Sequence, residues 1–154
     1  TDTANPQLND EPGKAAHALV DGGPDSVANM ANVAELRWKY LPDRNGSGFY
    51  RMVDGGRVLG TFQGKDACIR IPLGKGVCGA AARTRQTQRV ADVEAFPGHI
   101  ACDAASRSEL VVPLVKGDRL VGVLDLDSPI PNRFDEEDQH GLEAIAHAFM
   151  ETLT

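Results

Sequence analysis

The sequence predicts an α+β domain. Two pairs of short strands are each joined by a tight turn, one near the middle of the chain and one near its end. Apolar residues recur at helical spacing in a segment ahead of the first pair and again in the closing segment. No internal repeat and no second composition block divides the 154 residues, a length that suits one domain with a real core.

Taken in order, residues 1–25 hold Pro6, Pro12, Pro24 and Gly22-Gly23 and are expected to form a largely irregular arm, leaving 26–154 as the domain. Ser26 stands where it can cap a helix running to Leu41, with Val27, Met30, Val33, Leu36 and Tyr40 at helical spacing and Trp38 packing there. Leu41-Pro42-Asp43 ends it. Gly48 to Val53 and Arg57 to Phe62 read as strands around Asp54-Gly55-Gly56, and Ile69-Arg70-Ile71 as a further short strand ended by Pro72. Gly74 to Arg83 is a small-residue helix entered through glycines. It lacks the Gly-Lys-Ser/Thr ending of a phosphate loop.

Gln88-Arg89-Val90 is a short strand, followed by a long loop from Ala91 to Ser108, a length that in a compact domain is usually functional or disordered. Glu109 to Val115 and Arg119 to Asp127 form the clearest strand pair, with Lys116-Gly117-Asp118 between them. Asp135 to Leu153 opens with acids and carries Leu142, Ile145, Ala146, Phe149, Met150 and Leu153 on one face, an amphipathic closing helix.

Composition excludes several function classes. A net charge of −6 with no Lys/Arg cluster argues against nucleic acid as a partner. No apolar run approaches the ~20 residues of a membrane span, and no charged-then-apolar leader points to secretion. Three cysteines, an odd number, favour a reducing compartment with thiols kept for chemistry, and the cytoplasm is the expected location.

The loop Gly98-His99-Ile100-Ala101-Cys102-Asp103-Ala104-Ala105-Ser106-Arg107-Ser108-Glu109 shows neither strand nor helix periodicity, so its cysteine is a candidate reactive group rather than packing. In Val121-Gly122-Val123-Leu124-Asp125-Leu126-Asp127, alternation puts Asp125 and Asp127 on one face and the leucines on the other. With a three-residue turn, Val115 pairs with Arg119 and Glu109 falls opposite Asp125. An even-numbered turn would put Glu109 on the wrong face. Three crowded carboxylates repel unless a cation binds or a proton is shared. They therefore read as a cation pocket with at least one acid partly protonated, against the simpler reading of a solvated strand edge.

The spacings of Cys68, Cys78 and Cys102 are not those of a zinc knuckle. Convergence of the three with His99 on a metal stays open beside a redox relay. Cys78, near a helix start, gains from the positive end of the helix dipole, which favours a thiolate.

Gly74-Lys75-Gly76-Val77-Cys78-Gly79, Gly98 to Ser106, Ser108-Glu109 and Gly122-Val123-Leu124-Asp125-Leu126-Asp127-Ser128 closely resemble the free methionine-(R)-sulfoxide reductases, small GAF-domain enzymes. The resemblance runs from about Val27 to the C-terminus and includes all three cysteines. It implies a GAF-like fold, a central antiparallel sheet with helices on one face and a ligand pocket on the other. It further implies thiol-dependent reduction of free L-methionine (R)-sulfoxide with no metal and no organic cofactor, and a thioredoxin-like reductant as partner. A homodimer is compatible with it.

By position, the resemblance makes Cys102 the nucleophile, Cys68 the resolving thiol and Cys78 a further thiol in disulfide exchange. Glu109, Asp125 and Asp127 become the acids that hold the substrate and its sulfoxide oxygen, with Glu109 the expected proton donor. Tyr50, Ile100 and Ala101 are implied substrate contacts. The family usually reads Asn-Trp-x-Gly-Phe-Tyr where this chain has Asn45-Gly46-Ser47-Gly48-Phe49-Tyr50. The aromatic over the substrate's methyl end is therefore missing, and Trp38 is the candidate substitute. The rival expectation is a GAF module that binds a small ligand without chemistry.

Overall fold

A computed structural model describes residues 46–53, 56–64, 70–72, 75–98 and 105–151. The N-terminal arm, the helix expected over 26–41 with Trp38, the Asp54-Gly55 turn, Cys68, Ile69, the stretch 99–104 with Cys102, and Leu153 lie outside them.

Strands β1 (Gly46–Val53), β2 (Gly56–Gly64), β3 (Arg70–Pro72), β4 (Gln88–Val90), β5 (Ser108–Lys116) and β6 (Arg119–Ser128) form one six-stranded sheet in the order β3-β2-β1-β6-β5-β4. Every neighbouring pair is antiparallel. Helix α1 (Gly76–Thr84) follows β3, and helix α2 (Glu136–Glu151) closes the described chain. These are the elements that the turn chemistry and periodicity predict, within a residue or two. The expected loop after β4 is more ordered at its start: Val93–Ala95 is a 3-10 turn whose Asp92 side chain accepts from the Glu94 N–H.

The β5–β6 hairpin differs from expectation in a way that matters. Its turn has two residues, with Lys116 paired to Arg119. Carried straight on, that register would bury the acids among the leucines. A β-bulge prevents this. The register shifts between Leu114 and Val115, which pair with Gly122 and Leu120, so Val121 is an extra residue on β6. Parity is restored before the acids are reached. Beyond the bulge Glu109 stands opposite Asp127, and Asp125 opposite Val111, so the expected Glu109–Asp125 pairing is corrected while the shared face stands.

The sheet has two unlike faces. On one, Phe49, Leu110, Val112, Leu114, Leu124 and Leu126 pack against Leu142, Ile145, Ala146, Phe149 and Met150 of α2. The rings of Phe49 and Phe149 lie 5.0 Å apart at 48°. Fully burying such a side chain stabilises by about 1.5–3 kcal/mol, and among the described residues the largest fully buried side chains all lie on this face. Lys116 Nζ donates to the Met150 carbonyl near the end of α2, where a cation complements the helix dipole.

On the other face Tyr50, Val111 and Val123 meet Val77, Cys78, Ala81 and Ala82 of α1. The alanines let α1 sit close to the strands. Gly122 is required for a similar reason: a Cβ there would collide with the Tyr50 carbonyl oxygen of β1. No described helix is long and apolar enough to cross a membrane.

Candidate active site

Four elements converge on the α1 face. β5 supplies Glu109 just after its start, β6 supplies Asp125 and Asp127, β1 supplies Tyr50, and the first turn of α1 supplies Cys78. The Cys78 thiol donates to Glu109 Oε1 over 3.7 Å. Ligating atoms of Cys78, Glu109 and Asp125 all lie within 4.8 Å of one another. Glu109 is 8% exposed and Asp125 3%, while Asp127 is half-buried. Asp125 Oδ1, shielded from solvent, has no hydrogen-bond partner among the described residues.

Burial, then the charge of Glu109 and contact with it, push the Asp125 carboxyl well above the usual carboxylate range, against smaller opposing contacts with Asp127 and Cys78. Of the pair, Asp125 is the acid whose surroundings favour the protonated form. Tyr50 is also pushed up, first by burial and then by Asp125, Cys78, Asp127 and Glu109, so its hydroxyl stays a neutral donor.

Register leaves these acids small neighbours on the β1 side. Gly46 lies opposite Asp127 and Gly48 opposite Asp125 on the same face. Neither glycine projects a side chain over its partner acid. The missing tryptophan noted at Gly46 therefore falls directly beside Asp127.

The strand ends that carry the acids are fixed by a network that the sequence did not reveal. Ser108 Oγ donates to the Ile130 carbonyl at 2.6 Å and accepts from the Arg133 N–H at 3.3 Å. The Ile130 N–H donates to Ser128 Oγ at 3.1 Å, and Ser108 pairs with Ser128 across the two strands. Arg133 Nη1 reaches Asp138 Oδ2 at 3.5 Å, both side chains being buried. Asp135 and Asp138 exchange backbone-to-carboxylate bonds of 3.0 and 2.8 Å at the start of α2, a reciprocal capping arrangement. Its one legible signal is Asp135-x-x-Asp138 ahead of an apolar run.

The segment 99–104 with Cys102, Ile100 and Ala101, and Cys68 on the other side of α1 in sequence, lie outside the described residues. Both flanks of 99–104 are tied to the site. The Gly98 carbonyl accepts from the Gly76 N–H at the start of α1 over 3.1 Å, and the Arg107 N–H donates to the Ser128 carbonyl, next to Asp127, over 2.7 Å.

The GAF-domain family model matches residues 17–153 of this chain. The free methionine-R-sulfoxide reductase of Escherichia coli is 50% identical over 129 residues, which cover 84% of this chain and 78% of that protein. The chain belongs to the GAF-domain family and, within it, to the free methionine-R-sulfoxide reductases. A crystallised protein of Burkholderia vietnamiensis, assigned as a GAF sensor, is 53% identical with a TM-score of 0.93, covering 97% of this chain and 96% of that one. The fRMsr of Staphylococcus aureus, solved in complex with substrate, is 44% identical with a TM-score of 0.90 and covers 95% of both chains. The fold implied by the resemblance is thereby borne out: a GAF-like antiparallel sheet with helix packing on one face. In this reductase-family chain α1 stands on the opposite face from α2, as a wall of the acid pocket.

Proposed function

We propose that this protein reduces free L-methionine (R)-sulfoxide, with Cys102 as nucleophile and a disulfide as the oxidised product. The observation that carries the reading is the buried Glu109–Asp125 pair, whose burial favours retention of a proton, beside the Cys78 thiol and next to two glycines of β1. A sulfoxide sulfur is electrophilic, but its oxygen leaves poorly unless protonated. A carboxyl kept neutral by burial and a charged neighbour supplies that proton.

The Cys102 thiolate attacks as the Glu109–Asp125 pair protonates the sulfoxide oxygen. Glu109 is the proposed donor, drawing on the proton shared with Asp125. Methionine departs with the electron pair, and the oxygen stays on Cys102 as a sulfenic acid. Cys68 condenses with it, forming the S–S bond and releasing water, and Cys78 is the further thiol to which the disulfide passes. An external dithiol of thioredoxin type returns the thiols, oxidised in turn. Asp127, half-buried at the edge of the cluster, pairs with the substrate ammonium. That contact selects a free amino acid over a peptide-bound residue. Tyr50, Ile100 and Ala101 line the substrate. We place the reaction in a reducing compartment, the cytoplasm.

Incubating the reduced protein with free methionine (R)-sulfoxide tests the reading. One methionine should form for each pair of thiols lost, Cys102→Ser should abolish this, and Cys68→Ser should permit one stoichiometric round. Binding with no loss of thiols would make the domain a sensor instead.

A further inference from the structure

We infer that the reduced protein holds a thiol-ligating divalent cation of the Zn²⁺ class between Cys78, Glu109 and Asp125, and that this ion and the substrate exclude each other. The exclusion half rests on the function proposed above; the site itself does not.

Donor chemistry comes first. One sulfur and two carboxylates is a mixed soft and hard set that suits Zn²⁺, Co²⁺ or Cd²⁺ and disfavours Mg²⁺ and Ca²⁺, which take oxygen ligands. Three protein ligands with a fourth position open is a recurrent arrangement for accessible zinc.

Geometry agrees. With Zn–S near ~2.3 Å and Zn–O near ~2.0–2.2 Å, tetrahedral ligands stand roughly 3.5 Å apart. Cys78 Sγ and Glu109 Oε1 are 3.7 Å apart, and the Asp125 ligating atom lies within 4.8 Å of both, so a small side-chain adjustment closes the set. The acids alone would not make a site. What points to a ligand is Asp125, 3% exposed with an Oδ1 that has no partner among the described residues, because buried carboxylate oxygens are ordinarily satisfied. Binding displaces the Cys78 thiol proton and any carboxyl proton held by the pair. It also occupies the acids that the mechanism needs for proton delivery, so metal and substrate compete.

Co²⁺ is the probe, added to the reduced full-length chain in chelator-treated buffer. A thiolate-to-cobalt charge-transfer band should appear at one ion per chain and be displaced by Zn²⁺. Changes outside the ligand shell typically weaken a metal by ~10–100-fold, so Cys78→Ser should abolish the band and Asp125→Asn should weaken affinity by at least that much. Cys68→Ser and Cys102→Ser should keep the band. Thermal melts confirm that each variant is folded, and Asp125→Asn, a near-isosteric change, keeps the test intact if Cys78→Ser is not. In the Cys102→Ser background, free methionine sulfoxide should raise the apparent Co²⁺ dissociation constant in proportion to its concentration.

Absence of the band, or a band lost in Cys68→Ser or Cys102→Ser and kept in Cys78→Ser, overturns the site. A band indifferent to methionine sulfoxide overturns the exclusion. Failure of the reductase reading would show separately, as no methionine formed in metal-free buffer.

Discussion

Two clusters of buried ionisable groups, Arg133 with Asp138 and Glu109 with Asp125, are built on opposite plans. Arg133 and Asp138 neutralise one another, and Asp138 also accepts from the Asp135 N–H and lies at the start of α2, where negative charge is favoured. Glu109 and Asp125 are both acids, and Asp125 keeps an oxygen with no partner among the described residues. Burial is tolerable in the first because each charge meets its opposite. In the second, burial favours retaining a proton on Asp125. The first cluster therefore holds structure, and the second stores a group ready to be used.

The largest effect expected from this contrast is Glu109→Gln. Shape is kept and the carboxyl that delivers the shared proton is lost, so kcat should fall by ~10²–10⁴-fold, the usual scale of general acid catalysis. A change confined to KM would make Glu109 a binding group only.

Arg133→Ala should do the reverse, leaving Asp138 buried without its counter-ion. Removing one partner of a buried pair typically destabilises by about 3–5 kcal/mol. Denaturant unfolding should show that loss, while the fraction still folded keeps most of its turnover. Equal damage to kcat in the folded fraction would erase the distinction between the clusters.

A third test uses pH. The Asp125 carboxyl holds its proton more tightly folded than unfolded, so the folded state binds more protons above the ordinary carboxylate range. Stability from this group is present at low pH and is lost as pH rises through its raised folded value. Melting temperature followed against pH should therefore fall more steeply in the wild type than in Asp125→Asn. Parallel curves would mean that Asp125 is not strained by its surroundings.

The smallest effect concerns the uncovered side of the pocket. Gly46→Trp adds an aromatic beside Asp127. Covering ~40 Å² of substrate is worth on the order of 1 kcal/mol, a several-fold gain in kcat/KM for methionine sulfoxide. The wild type should tolerate ethionine sulfoxide better than the variant does. Strong rejection of the ethyl analogue by the wild type, unchanged by the added tryptophan, would mean that something else already closes that side.

Much of the fold was legible because it is written in local chemistry. The β5–β6 strand pair and the face of α2 follow from turn residues and periodicity, and the shared face of Asp125 and Asp127 follows from alternation; Glu109 joins them through the bulge and not through the three-residue turn expected. Who stands opposite whom was not legible. The bulge at Leu114/Val115 is a compromise between a two-residue turn and the need to keep leucines and acids on separate faces, and no residue type announces it. The Ser108–Arg133–Asp138 network was missed for another reason. An arginine is ordinarily exposed, and here its side chain is buried against Asp138 while its backbone N–H donates to Ser108, 25 residues away in the chain. The assignments of Cys102 and Cys68 come from the resemblance, not from any spacing.

The extra residue at Val121 also separates the hairpin's tip from its chemistry. Gly117 and Asp118 are exposed, and Gly117 has a positive φ of 59°, while the register at Glu109 and Asp127 is set beyond the bulge, not by the turn. Loop tips of this kind accept inserted chain well. The tip is therefore the place to splice in a tether, for instance one that carries a dithiol donor as a covalent companion, without moving the acids.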